Sequence, residues 1–179
     1  MPAIIFNRLM IRKIAAAAAL ALALPAHAVD GMALEIGHGD ENSDLVRGAV
    51  QWKWQRAWFA DTGWEVTGYW EASLGAWNTH KTLVDVAFTP VFRLQRADWE
   101  GPYVEAAIGF HLLSDLSITR TRLFGSHFQF GDHLGAGWRF GPRGRNDIGV
   151  RLQHLSNGGI RRPNPGINFL VLRLAYHFR

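Results

Sequence analysis

The chain contains no cysteine, which removes disulfide frameworks and thiolate metal sites from consideration. It also lacks any apolar run long enough to cross a bilayer as a helix, for which about 20 residues are needed. The one uninterrupted apolar stretch, 14–24, has 11 residues and follows Arg8, Arg12 and Lys13. Ala26-His27-Ala28 then supplies an A-x-A cleavage pattern, so residues 1–28 read as a secretory signal peptide and 29–179 as the mature domain. Neither a Ser/Pro-rich linker nor a low-complexity tract follows the leader, which leaves room for a single domain. A strong excess of one charge is missing too. The leader takes away three basic residues and no acidic ones, leaving 16 Lys+Arg against 15 Asp+Glu in 29–179. That balance argues against a nucleic-acid partner.

What dominates from Val29 onward is a period of two rather than 3.6. Val46, Gly48, Val50, Trp52 and Trp54 alternate with Arg47, Ala49, Gln51 and Lys53. The same pattern recurs over 64–74, 84–94, 104–112 and 170–178, where Leu170, Leu172, Leu174, Tyr176 and Phe178 are set against Val171, Arg173, Ala175 and His177. With 32–38, 128–140 and 148–157 the count reaches eight strands, each of about the 9–11 residues that cross a membrane.

A water-soluble β-sandwich also alternates, but its dry core would have to accommodate the Arg, Glu, Gln and His residues of the second face at heavy cost. The apolar face carries aromatics near strand ends (Trp54, Trp64, Phe92, Trp138, Phe140, Tyr176, Phe178), as an interfacial girdle requires. The expected architecture is therefore all-β, an eight-stranded antiparallel transmembrane barrel of the outer membrane. Segments 39–44, 77–82, 113–126 and 157–167 should lie at its extracellular end. A barrel of eight strands is filled by its own side chains, which excludes a general porin.

Strand parity singles out two residues. Ile148, Val150 and Leu152 point to lipid, and the same parity carries His154 and Ser156 outward. Polar groups on such a surface are expensive unless paired or useful. Outward neighbours at i and i+2 lie about 7 Å apart at their Cα atoms, within reach for a hydroxyl nucleophile and its general base. Asp132 also breaks an outward apolar row, that of Phe128, Phe130, Leu134 and Ala136. Hairpin pairing puts it almost opposite His154, unless a bulge at Gly131 turns it inward. His111, His127, His133 and His177 read inward as parts of the barrel's filling, and no set of residues has metal-ligand spacing.

The stretch His154-Leu155-Ser156-Asn157-Gly158-Gly159-Ile160, followed by Pro163-Asn164-Pro165-Gly166-Ile167-Asn168, resembles the C-terminal signature of PagL-type lipid A 3-O-deacylases. Phe128–Gly137 and the leader-plus-eight-strand layout are similar to that family as well. The resemblance implies an outer-membrane serine esterase acting on lipid A within lipopolysaccharide, without metal or organic cofactor. It implies Ser156 as nucleophile, His154 as general base, and Asn157 and Gly159 as oxyanion-hole donors. The family's triad acid is a Glu, and its place here is held by Asn168. An Asn carbonyl can orient an imidazole but gives its cation less support, so Asn168 and Asp132 both stand as orienters of His154. Arg120, Arg122, Arg161 and Arg162, on the two loops nearest the site, are placed to meet substrate phosphates or else are ordinary solvated charges. The expected partners are lipid A and outer-membrane lipids, with a homodimer left open. The rival reading is a structural or adhesion barrel in which the missing glutamate marks a weakened or lost site.

Overall fold

A computed structural model describes residues 29–178, so the expected signal peptide lies outside the described residues. Eight antiparallel strands, each hydrogen-bonded to its sequence neighbours, close on themselves through β1 and β8. They are β1 Gly31–Gly39, β2 Ser43–Lys53, β3 Trp64–Asn78, β4 Thr82–Arg96, β5 Gly101–Leu113, β6 Phe128–Phe140, β7 Asn146–Ser156 and β8 Ile167–His177. All eight expected strands are present, but β3 and β4 reach 15 residues. The apolar alternation marks only the part of a strand that faces lipid. The hydrogen-bonded ladder runs on beyond it, with Asn78 paired to Thr82 at the tip. The connections between β1 and β2, β3 and β4, β5 and β6, and β7 and β8 gather at one end, called here the upper end. The first and last described residues, Val29 and Phe178, lie at the lower one.

Most strands alternate more-buried inward with more-exposed outward residues; in β3 the run is broken where outward Gly68 is covered by Trp54. Leu34, Ile108, Leu134 and Leu152 stand on the outer wall, each more than half exposed. The girdle aromatics cluster near the lower end, where Trp54 meets Phe92 edge-on with ring centroids 4.7 Å apart.

The interior has two levels. Its middle and lower part holds five arginines (47, 93, 139, 151, 173) among six carboxylates (35, 65, 71, 85, 105, 147). Arg151 reaches Glu71 at 2.9 Å and Glu105 at 2.7 Å, and Arg93 bridges Glu105 and Asp147, both at 2.7 Å. Such ions are tolerated only with near-complete mutual pairing, because each loses its hydration. His111 and His133 are buried in this filling as expected, and His177 touches Asp147 at 3.3 Å. His127 departs from expectation. It precedes β6, is exposed, and uses Nδ1 on the Leu113 carbonyl at 2.7 Å.

The upper level is apolar. Leu45, Trp77, Leu83, Leu113, Ile118, Phe124, Leu155, Ile167, Phe169 and Val171 form a plug beneath the upper loops. Alternation alone hides this layer, since the inward positions of these same strands are polar lower down.

Candidate active site

His154 and Ser156 lie on the outer wall at the upper end of β7, either side of Leu155, whose side chain is fully buried in the apolar plug. The antiparallel register sets Asp132 opposite His154 and Phe130 opposite Ser156 on one side. On the other side it sets Asn168 opposite His154. Both sequence-derived orienters are thus direct cross-strand neighbours of the histidine. No bulge turns Asp132 inward; it is exposed on the outer face.

The hydrogen bonds distinguish the two. His154 Nδ1 lies 2.8 Å from Asn168 Oδ1, whereas among the described residues no hydrogen bond joins Asp132 to His154. Asn168 is itself fixed from behind. Its backbone N–H and its Nδ2 both donate to Asp40 Oδ2, at 3.0 and 2.8 Å. Sequence reading missed Asp40, because it lies 128 residues from Asn168 on the tight turn between β1 and β2. The signal available was topological. Closure pairs the end of β1 with the start of β8.

A second support comes from Gly166, which adopts a left-handed φ of +65°. A Cβ there would stand 2.6 Å from His154 Cε1 and 3.2 Å from Nε2. The imidazole edge rests against bare backbone, a contact only glycine allows. Arg122 holds this segment in place. It donates to the Pro165 and Gly166 carbonyls at 3.0 and 2.9 Å and pairs with Glu41 at 2.6 Å. Of the four arginines singled out in the sequence, Arg122 is therefore a loop clasp, while Arg120, Arg161 and Arg162 are exposed.

The turn after Ser156 gives the expected oxyanion donors, Asn157 and Gly159, hydrogen-bond partners within the loop. Asn157 is fully buried, and its side chain organises the loop. Oδ1 accepts from Gly159 N–H at 3.0 Å, and Nδ2 donates to the Arg161 carbonyl at 2.7 Å. The Asn157 N–H is taken by Asn164 Oδ1 at 2.9 Å. The backbone N–H groups of Asn157 and Gly159 thus both donate within the turn itself. Gly158 N–H has no acceptor among the described residues, and a Cβ on Gly158 would sit 3.5 Å from the Phe130 ring. Among the described residues no hydrogen bond links Ser156 Oγ to His154. No group of His, Asp and Glu among the described residues is arranged to hold a metal ion.

A closed eight-stranded barrel with a charged interior and an apolar outer band has the architecture of a membrane barrel, and His154, Ser156 and Asn168 lie on its outer wall. The family model for lipid A 3-O-deacylase (PagL) matches residues 45–177, and the chain belongs to that family. It is 30% identical to the lipid A deacylase PagL of Pseudomonas aeruginosa over 87% of this chain and 93% of that protein. It is 44% identical to the lipid A deacylase PagL of Bordetella bronchiseptica, over 50% of this chain and 47% of that relative. The crystal structure of the outer membrane enzyme PagL superposes with a TM-score of 0.74 and 28% identity, covering 82% of this chain and 98% of the other. A designed transmembrane β-barrel matches at a TM-score of 0.52 and 13% identity, a likeness of fold alone. The protein is an outer-membrane barrel.

Proposed function

We propose that this chain hydrolyses the ester-linked 3-hydroxyacyl chain at position 3 of lipid A, using Ser156 and His154 on the lipid-facing wall. The observation that carries the mechanism is the hydrogen bond from His154 Nδ1 to Asn168 Oδ1. A ring that donates from Nδ1 presents the lone pair of Nε2 as a base. His154 takes the Ser156 proton as the hydroxyl attacks the acyl carbonyl, and returns it to the departing sugar oxygen. Water repeats the sequence on the acyl-enzyme and frees the fatty acid. The tetrahedral oxyanion needs a preorganised donor, and Gly158 N–H is the uncommitted amide nearest in sequence to the nucleophile. Asn157 and Gly159 then serve by shaping the turn.

The placement supports a lipid substrate. Leu134, Leu152 and Phe110 surround the site on the outer wall, so an acyl chain meets the nucleophile without leaving its apolar surroundings. Exposed Arg161 and Arg162 are the loop charges available to lipid A phosphates.

The test is mass spectrometry of lipid A from cells expressing wild type, Ser156→Ala and His154→Ala. Loss of one 3-hydroxyacyl mass in the wild type alone is expected. An unchanged spectrum with wild type folded in the membrane overturns the proposal.

A further inference from the structure

We infer that Asp40 supplies the negative charge that the family's glutamate would have brought, and acts on His154 through Asn168 as a positioning residue. This rests on the reading of His154 as the general base.

Consider what Asn168 would do alone. Its amide has an acceptor end and a donor end, and a half-turn exchanges them. With the NH2 end towards His154, the ring would have to accept at Nδ1. Its proton would then sit on Nε2, the atom required to be basic. Asp40 removes that choice. One carboxylate oxygen, Oδ2, receives both the backbone N–H and the Nδ2–H of Asn168, at 3.0 and 2.8 Å. A carboxylate accepts and never donates, so the NH2 end must face Asp40 and Oδ1 must face His154. The 2.8 Å contact at His154 Nδ1 is then an N–H donating to a carbonyl. Hydrogen bonds in series also polarise one another. The Asp40 charge therefore makes Asn168 Oδ1 a stronger acceptor as the imidazolium forms.

The backbone brings this relay together. Gly39, the residue before Asp40, packs so closely on β8 that a Cβ there would lie within 2.5 Å of the Phe169 ring. Glu41 and Asn42 follow with left-handed φ of 60° and 52°, and the Glu41 carboxylate is locked to Arg122 at 2.6 Å. The turn is thus tied to the same clasp that holds Gly166 against the imidazole.

Other charges near the histidine have their own places. His38 on β1 is bound to Asp44 of β2 at 2.9 Å. Asp132 of β6 faces His154 across the ladder with no hydrogen bond to it. Glu41 and Arg122 pair with each other. Asp40 is the carboxylate in hydrogen-bonded line with the ring.

The experiment compares pH–rate profiles of purified barrels on lipid A in mixed micelles, for wild type, Asp40→Asn, Asp40→Ala and Asp40→Asn/Asn168→Glu. Circular dichroism reports folding. Asp40→Asn keeps an acceptor for Asn168 but removes the charge, so its plateau rate should fall about 10-fold; Asp40→Ala removes both and should cost about 100-fold. Losing the carboxylate disfavours the imidazolium, so the acid limb should move to lower pH in both. Glutamate at 168 puts a carboxylate directly on the ring, and the double variant should recover rate and return the limb towards wild type. A wild-type rate and profile in Asp40→Asn overturns the inference. So does a fall in rate with an unmoved acid limb, which a purely structural turn would give. Ser156→Ala and His154→Ala are run alongside. Activity retained in them sinks the catalytic reading itself, whereas their inactivity beside an unaffected Asp40→Asn sinks only the relay.

Discussion

Substituting Gly166 with alanine separates the stability of the barrel from the placement of its base. The new Cβ would stand 2.6 Å from His154 Cε1, whereas carbon atoms at rest lie about 3.5 Å apart or more. The ring or the backbone must therefore give by roughly 0.9 Å. The ring is the softer partner, because it pivots about its own side-chain torsions while the Pro165 and Gly166 carbonyls are both held by Arg122. A pivot of that size carries Nδ1 away from Asn168 Oδ1 and Nε2 away from the serine. Displacements near 1 Å at a reacting centre cost about 100-fold in rate. The stability cost is that of alanine at φ +65°, about 1–2 kcal/mol, in a loop outside the ladder. Gly166→Ala should therefore lower kcat on lipid A micelles about 100-fold while shifting the urea midpoint of unfolding only slightly. Wild-type kcat in a folded Gly166→Ala barrel would refute the reasoning. So would a rate loss that merely tracks the fraction of unfolded protein.

Four further outcomes are expected. Asn168→Ala should cost far more activity than Asp132→Asn in the same micelle assay, since only Asn168 is bonded to the imidazole; the reverse order would reassign the orienter. Asn157→Ala leaves the N–H of Gly159 and the carbonyl of Arg161 without partners, a local cost of about 1–3 kcal/mol. It should appear as faster proteolysis within 157–166 together with lost activity. Arg151→Met strips Glu35, Glu71 and Glu105 of their shared cation, and breaking such a buried group costs about 3–5 kcal/mol, readable as a lowered urea midpoint. The Arg161→Ala/Arg162→Ala double variant should act less well on phosphorylated lipid A but equally on the dephosphorylated form. Equal losses on both substrates would remove phosphate recognition from those loops.

Strand count, facing and closure were legible because a period-two pattern reports directly on which side of a wall each residue lies. The cross-strand meeting of His154 with Asn168 and with Asp132 was legible for a related reason. Hairpin register follows from where the turn is centred, and both hairpins are local in sequence. Three things were not. Asp40 joins Asn168 through closure of the first strand on the last, a contact that no local pattern encodes. The apolar plug uses the same inward parity as the charged network below it, so alternation cannot tell the two levels apart. The commitments of the Asn157 and Gly159 amides depend on how the 157–166 turn folds on itself. A glycine-rich string permits several such arrangements.

The plug behind the site has an evolutionary consequence. Leu155 separates His154 from Ser156 and is sealed inside the barrel, and Ile167 and Phe169 flank Asn168 in the same way. His154, Ser156 and Asn168 are thus each joined through an adjacent residue to a closely packed layer on the inner side of the sheet. Under the proposed function, changes at Ile108, Phe110, Leu134 or Leu152 on the exposed outer wall would alter the fit to an acyl chain from the side of the sheet opposite the plug. Selection on substrate range and selection on assembly act on opposite sides of one sheet, a single residue apart.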